Sequence, residues 1–379
     1  MGNRQGALEN LGGVMCAYVL IHRRNSMKQT VMITGNKGYI GTVMTASFKA
    51  AGYAVVGYDS EFFGDCSVSA PPACDRQIIK DIRDAQPSDF AGIDHVVHLA
   101  GLSNDPMGEL NPSLTDQINH HASVHLARTA RAAGVSRFLY ASSQSVYGLS
   151  PTTAEIDETG PGNPITEYAK TKWESEIDLF RLGTPQFTVC CLRPATAYGA
   201  SPLLRLDLVL NQFVAHAYVK REIRIMSDGS PWRPLTHVQD ISGAFLACLL
   251  APKELVANQS YNVGTDNNNY TVRQLAEVVQ AHIPGTSLTF TGEHTDSRSY
   301  RVSSHKILTQ LKAYYQPHWD IEAGVLELMR FYEKIGMNES MLASSRCIRI
   351  KRLKERMEEG TLDAALYSTG SNSGRSLPV

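Results

Sequence analysis

Tyr168 and Lys172 stand four residues apart in the stretch "PITEYAKTKWESE", residues 164–176. Four residues are just over one helical turn, so on the helix this stretch predicts both side chains share a face. A phenol beside an ammonium has a lowered pKa, because the positive charge favours the phenolate. Such a pair is either a proton-transfer device or an ordinary surface pair. Just upstream, "YASSQSVYG" (140–148) places hydroxyls at Ser142, Ser143 and Ser145 after an apolar run that reads as a strand. The carboxyl edge of an open α/β sheet is where such folds bind ligands. A hydroxyl, a phenol and an ammonium could therefore converge there.

A second group of residues reads as a phosphate cradle. "TGNKGYIG" (34–41) sets Gly35, Gly38 and Gly41 between a short apolar strand and a helix. Gly35 can make the tight turn, Gly38 lets backbone approach a pyrophosphate, and Gly41 allows close helix–strand packing. The helix N-terminus, with free N–H groups and a favourable dipole, suits the anion. A lone glycine pattern can mean no more than a tight turn, but here an acid, Asp59, closes the second strand. A carboxylate there accepts hydrogen bonds from ribose hydroxyls and repels a 2′-phosphate, and the following "SEFFGD" offers no arginine for one. The cofactor expected is NAD, contacted by Gly35, Asn36, Gly38, Tyr39, Ile40, Gly41 and Asp59. Asp81 and Ile82 of "KDIRD" would lie near the adenine, although Asp81 could equally cap a helix.

The elements that must position these groups alternate. Apolar runs at 29–35, 53–59, 77–84, 94–100, 137–142 and 187–194 read as strands, with helical patterns at 39–51, 114–133 and around Tyr168. This alternation predicts an α/β fold, a doubly wound parallel sheet with helices on both faces. After residue 200 it loosens. "EIRIMSD" (222–228) and "SYNVG" (260–264) look like isolated strands of a smaller mixed α/β lobe. The expected organisation is an N-terminal extension at 1–26, a cofactor domain at 27–200 to which segments around 235–265 return, a substrate lobe at 201–335, and a C-terminal helix and tail at 336–379. The tail from Ser368 onward reads as disordered.

Composition removes other classes. Of 379 residues, 36 are Lys or Arg and 37 Asp or Glu, so net charge gives no case for nucleic acid or an anionic membrane. The basic run "RCIRIKRLKERMEEG" (346–360) interleaves glutamates and reads as a solvated helix face. No apolar run is long enough to span a bilayer. Seven scattered cysteines do not form a disulfide framework, and Cys66 and Cys74 read as plain loop thiols, with no metal site. A reducing, cytoplasmic location is expected.

The ordered set "TGNKGYIG", Asp59, "DIRD", "HLAG", "SSQSVYG", "YAKTK", "LRPATAYG", "SPWRPLTHVQD" and "SYNVG" resembles the extended short-chain dehydrogenase/reductase family, in its nucleotide-sugar epimerase/dehydratase branch. The resemblance runs from about Met27 to about residue 310. It implies a Rossmann fold, NAD, a nucleotide-sugar substrate and a two-fold homodimer formed through helices around 114–133 and 166–182. It further implies that Tyr168 is the acid/base, Lys172 its electrostatic partner and ribose ligand, and Ser143 the assisting hydroxyl. Leu99, Ala100 and Gly101 would line the cofactor, with Asn119 nearby in a structural or relay role. Arg233 would hold the substrate diphosphate, and Arg298 either does the same or is a surface arginine.

Two departures shape the expectation. Thr196 stands where the family has an asparagine before its "YG", so a substrate contact is altered. Gln144 and Ser145 follow Ser143 where the dehydratases carry acids, and neither can serve as the general acid or base for water elimination. The activity expected is an NAD-dependent nucleotide-sugar epimerase acting at C4 through a 4-keto intermediate. The alternative is a reductase or dehydrogenase of a nucleotide-linked 4-keto sugar. A 4,6-dehydratase or a non-catalytic NAD-binding regulator ranks below these.

Overall fold

The computed structural model describes residues 28–149, 154–292 and 299–371. The extension expected at 1–26, Arg298 and the last eight residues lie outside these. Five strands and their helices come first: β1 (Thr30–Thr34), α1 (Tyr39–Ala50), β2 (Ala54–Asp59), β3 (Arg76–Ile79), β4 (His95–His98), α2 (Pro112–Asp116), α3 (Ala122–Ala132) and β5 (Arg137–Ala141). Then follow α4 (Glu167–Phe180), β6 (Thr188–Pro194), β7 (Thr196–Tyr198), α5 (Val209–Lys220), β8 (Glu222–Ile225), β9 (Trp232–His237), α6 (Val238–Leu250) and β10 (Gln259–Val263). The chain continues through β11 (Asn269–Thr271), α7 (Val272–His282), β12 (Ser287–Phe290), α8 (His305–Gln310), α9 (Ile321–Lys334) and α10 (Arg349–Glu358).

Seven strands form one parallel sheet in the order β10-β6-β5-β4-β1-β2-β3. Strands buried on both faces need apolar residues at every position, which explains runs such as "TVMIT". Side-chain alternation sends Val31 and Ile33 to one face, with Phe48 of α1 and Phe245 of α6. Met32 goes to the other face, with Leu126 of α3 and Leu179 of α4. The chain leaves β1 for β2 and β3 on one side, then returns to β4 on the other. That reversal opens a crevice at the carboxyl ends of β1 and β4. The smaller lobe holds a β11-β9-β7 sheet and a parallel β12-β8 pair.

The structure departs from the sequence reading in five places. The strand expected at 77–84 stops at Ile79, and Asp81 caps a short 3-10 turn by accepting from Arg83 N. The helix expected at 114–133 is interrupted by a π turn at Gln117–His121, which presents Asn119 to the backbone of Leu102. The "SYNVG" strand is not isolated: β10 pairs with β6 as an edge of the central sheet. Likewise β8 pairs in parallel with β12. The basic C-terminal run is solvated on one face only, where Lys351, Lys354 and Glu358 are exposed. Arg349 is 2% exposed and Leu353 fully buried, because α10 folds back against the second core cluster beside Phe62 and Phe63. The described cysteines are all free thiols. No helix among the described residues is long and apolar enough to cross a membrane.

Candidate active site

Tyr168 occupies the first turn of α4, whose position is fixed from both sides. Thr166 caps the helix, accepting from Ala169 N at 3.3 Å, and itself donates to Asp105 at 2.5 Å. Gly108 lies beneath, and a Cβ there would come within 3.1 Å of Tyr168 Cβ. One turn on, Lys172 is 4% exposed and donates from Nζ to the Ala141 carbonyl at 2.8 Å. Its ammonium lies 5.8 Å from the Tyr168 ring centre and 4.7 Å from that of Tyr140. Ser143 follows β5. Its Oγ accepts from Ser145 N at 3.1 Å, and its side chain lies close enough to Tyr168 to pull the phenol's pKa down. The three groups singled out by spacing therefore meet in one cleft.

Their electrostatics differ from the sequence expectation. Burial pushes the Tyr168 phenol up to about 12, and the groups pulling most against it are Ser143 and then Arg205. Lys172 does not hold the phenol below its ordinary value, because its ammonium is spent on the Ala141 carbonyl. Burial pushes Lys172 itself down to about 8, with the Glu176 carboxylate opposing. Glu176 is committed to a buried ion pair with Arg193 at 2.7 Å, and Arg193 in turn donates to the Tyr147 hydroxyl at 2.8 Å.

The cleft has a volume of about 710 Å³ and runs from the glycine turn to Tyr168. Gly35, Gly38, Tyr39, Ile40 and Gly41 line one end, and Leu99, Ala100 and Gly101 the floor. Gly35 needs its left-handed φ of 71°, and a Cβ there would meet Ala100 N at 2.8 Å. Asp59 accepts from Lys37 N at 3.0 Å and from Glu61 N at 2.7 Å. A carboxylate has about four lone-pair sites, so two remain for ribose hydroxyls. Burial raises Asp59 to about 6. The hydroxyls of Ser142 and Ser145 are buried in the wall without a hydrogen-bond partner among the described residues. The cradle, the carboxylate acceptor and the unpaired hydroxyls fit a dinucleotide. Asp81, Ile82, Thr196 and Arg233 also line the cleft.

Two expected contacts point elsewhere. Asn36 turns under β2 and pairs with Gln77 at 2.9 Å. Asn119 clamps Leu102, accepting from its N–H at 2.7 Å and donating to its carbonyl at 3.0 Å. Arg298 lies outside the described residues. Sequence reasoning missed Arg205, Asp207, Asn104 and Arg349, all in the cleft wall. The "RLD" spacing was a signal for an Arg205–Asp207 pair. Nothing local marked Arg349.

The profile of the NAD dependent epimerase/dehydratase family matches residues 31–264. The chain belongs to this family. It is 24% identical over 313 residues to a putative UDP-glucose 4-epimerase of Methanocaldococcus jannaschii, covering 79% of this chain and 97% of that one. It is 25% identical over 329 residues to the dTDP-D-glucose 4,6-dehydratase of Mus musculus, covering 82% and 90%. Among solved structures, MoeE5 in complex with UDP-glucose and NAD superposes with a TM-score of 0.69 at 22% identity, over 80% of this chain and 99% of that one. This enzyme of the epimerase/dehydratase family thus takes NAD as cofactor, and its relatives include both epimerases and dehydratases.

Proposed function

We propose that the protein is a nucleotide-sugar epimerase acting at C4 through a transient 4-keto sugar. The observation that carries this reading is the meeting of Ser143, Tyr168 and, one turn on, Lys172 in the same cleft as the glycine turn and Asp59. NAD, when bound, supplies a reversible hydride acceptor. Gly38 would let its diphosphate approach the backbone, Gly35 and Gly41 hold the turn closed against Ala100 and Asn36, and Asp59 would accept from its ribose. Tyr168 takes the proton of the sugar hydroxyl and returns it, with Ser143 relaying at the phenol oxygen. The charge of Arg205 favours the phenolate. Thr196 and Arg233 hold the substrate, Arg233 by its planar, permanently charged fork. General acid–base assistance of this kind contributes about 10²–10⁴-fold.

The positions after Ser143 support epimerisation over water elimination. Gln144 is buried and donates to the Val263 carbonyl at 3.3 Å, away from the cleft, and Ser145 offers only a hydroxyl. The test is incubation of the purified protein with a panel of nucleotide hexoses, without added NADH, followed by chromatography and NMR. Appearance of the C4 epimer supports the reading. A product lighter by one water, or turnover only with stoichiometric NADH, overturns it.

A further inference from the structure

The C-terminal segment lies beyond the family-matched residues, yet it forms part of the cleft wall. Leu353, Leu362 and Leu366 join the apolar cluster that holds Tyr58 and Ile82. Arg356 donates to the carbonyls of Glu61 at 2.8 Å and Phe62 at 2.9 Å, and Arg352 pairs with Asp65 at 2.5 Å. Arg83 donates to Ala365 O at 2.8 Å, with its guanidinium 3.6 Å from the Tyr367 ring centre. The segment therefore fixes the loop that follows Asp59 and the turn that follows Asp81.

Arg349 opens α10 and reaches inward. Its guanidinium donates to Leu203 O at 2.8 Å and Arg346 O at 3.1 Å, and lies 4.8 Å from the Phe63 ring centre. Among the described residues no carboxylate pairs with it. Beside it, Arg205 holds Asp207 through two hydrogen bonds of 2.9 Å and donates to Ser103 at 3.2 Å. Asp207 also accepts from Asn104 at 2.7 Å. Arg205 acts on Tyr39 of the glycine turn and on Tyr168, so it stands between the two ends of the cleft. Two buried guanidiniums thus face one carboxylate in the cleft wall. A buried charge lacking a counter-charge is costly unless a ligand supplies one.

We propose that Arg205 and Arg349 form a binding site for a diphosphate group in the cleft, which makes the C-terminal segment part of the nucleotide-binding machinery. Planar guanidinium forks match phosphate oxygens in pairs. The diphosphate belongs either to NAD or to the nucleotide sugar. This inference rests on the reading that nucleotides occupy the cleft, and wild-type binding tests that reading separately.

The test compares wild type with R349M, R349K and K354Q. Lys354 lies on the exposed face of the same helix, so K354Q controls for the loss of one positive charge from that helix. Two quantities are read: the release rate of bound NAD after rapid gel filtration, and the affinity of NAD-saturated protein for uridine 5′-diphosphate by calorimetry. R349M is expected to weaken one of them by roughly 10- to 100-fold, the size of a lost charge-assisted contact. R349K should lose less, and K354Q should match wild type. Faster NAD release assigns the site to the cofactor, and weaker uridine diphosphate binding assigns it to the substrate. No change in either, in R349M that melts like wild type, overturns the proposal, as does an equal loss in K354Q. Should R349M not fold, R349K takes its place, and wild-type values in R349K overturn the proposal. Wild type that binds neither nucleotide refutes the underlying reading instead.

Discussion

Lys172 should cost the fold stability in order to stay charged, and Lys172→Met exposes that cost. Burial moves this lysine from its ordinary 10.5 to about 8. At about 1.36 kcal/mol per pKa unit, keeping the ammonium protonated costs about 3 kcal/mol. The sign follows from proton binding. Because the folded value is the lower one, the unfolded chain binds the extra proton between roughly pH 8 and 10.5. The penalty is therefore complete below pH 8 and disappears as pH rises through that window. Methionine removes the charge and also the hydrogen bond to the Ala141 carbonyl, worth about 1 kcal/mol. K172M should then be more stable than wild type at pH 7 by about 2 kcal/mol, and less stable by about 1 kcal/mol once the wild-type amine is neutral. The assay is urea denaturation of both proteins, freed of nucleotide, from pH 7 to 10.5. Taking the difference cancels the buried tyrosines common to both. A difference that stays flat, or that moves further in favour of K172M as pH rises, refutes the reasoning.

Other substitutions probe the site from different sides. Y168F should lower turnover by about 10²–10⁴-fold or more while bound NAD, measured after denaturation, stays at the wild-type level. An unchanged rate removes Tyr168 from the mechanism. In G41A the new Cβ would lie 2.0 Å from Gly35 O and 2.7 Å from Asn36 Cα. Thermal denaturation should show a loss of at least about 1–3 kcal/mol, with less NAD retained, and a neutral result contradicts the close packing of the turn. E176Q breaks the buried pair with Arg193 and should cost about 3–5 kcal/mol, whereas the double replacement E176M/R193M recovers much of it. A loss in E176M/R193M equal to the sum of the losses in E176M and R193M would show that the pair is not coupled.

Much of this molecule is legible in its sequence because the relevant physics is local. "TVMIT" and "TVCCLRP" read as buried strands since parallel strands covered on both faces must be apolar throughout. Gly35, Gly38 and Gly41 announce a turn whose backbone crowds Ala100, and Asp59 closes the neighbouring strand. The meeting of Ser143 with Tyr168 follows once β5 and α4 are accepted. What stayed hidden depends on distant partners. The interleaved glutamates around Arg352 matched a solvated face, but Arg349 is buried by Leu203 and Phe63, far away in the chain. Asn36 sits inside the glycine turn, yet Gln77 draws its side chain away. The Tyr168–Lys172 spacing was read correctly as one helix face. Their pKa values are set instead by burial and by where the ammonium points, which spacing cannot show.

The central claim is that one sugar carbon is oxidised and reduced again within a single turnover. It is tested most directly with a nucleotide hexose deuterated at C4, incubated with the purified enzyme and no added nicotinamide nucleotide, the product being read by mass spectrometry and NMR. The account predicts the C4 epimer, unchanged in mass, with deuterium still at C4. Loss of the label, or of a molecule of water, contradicts it.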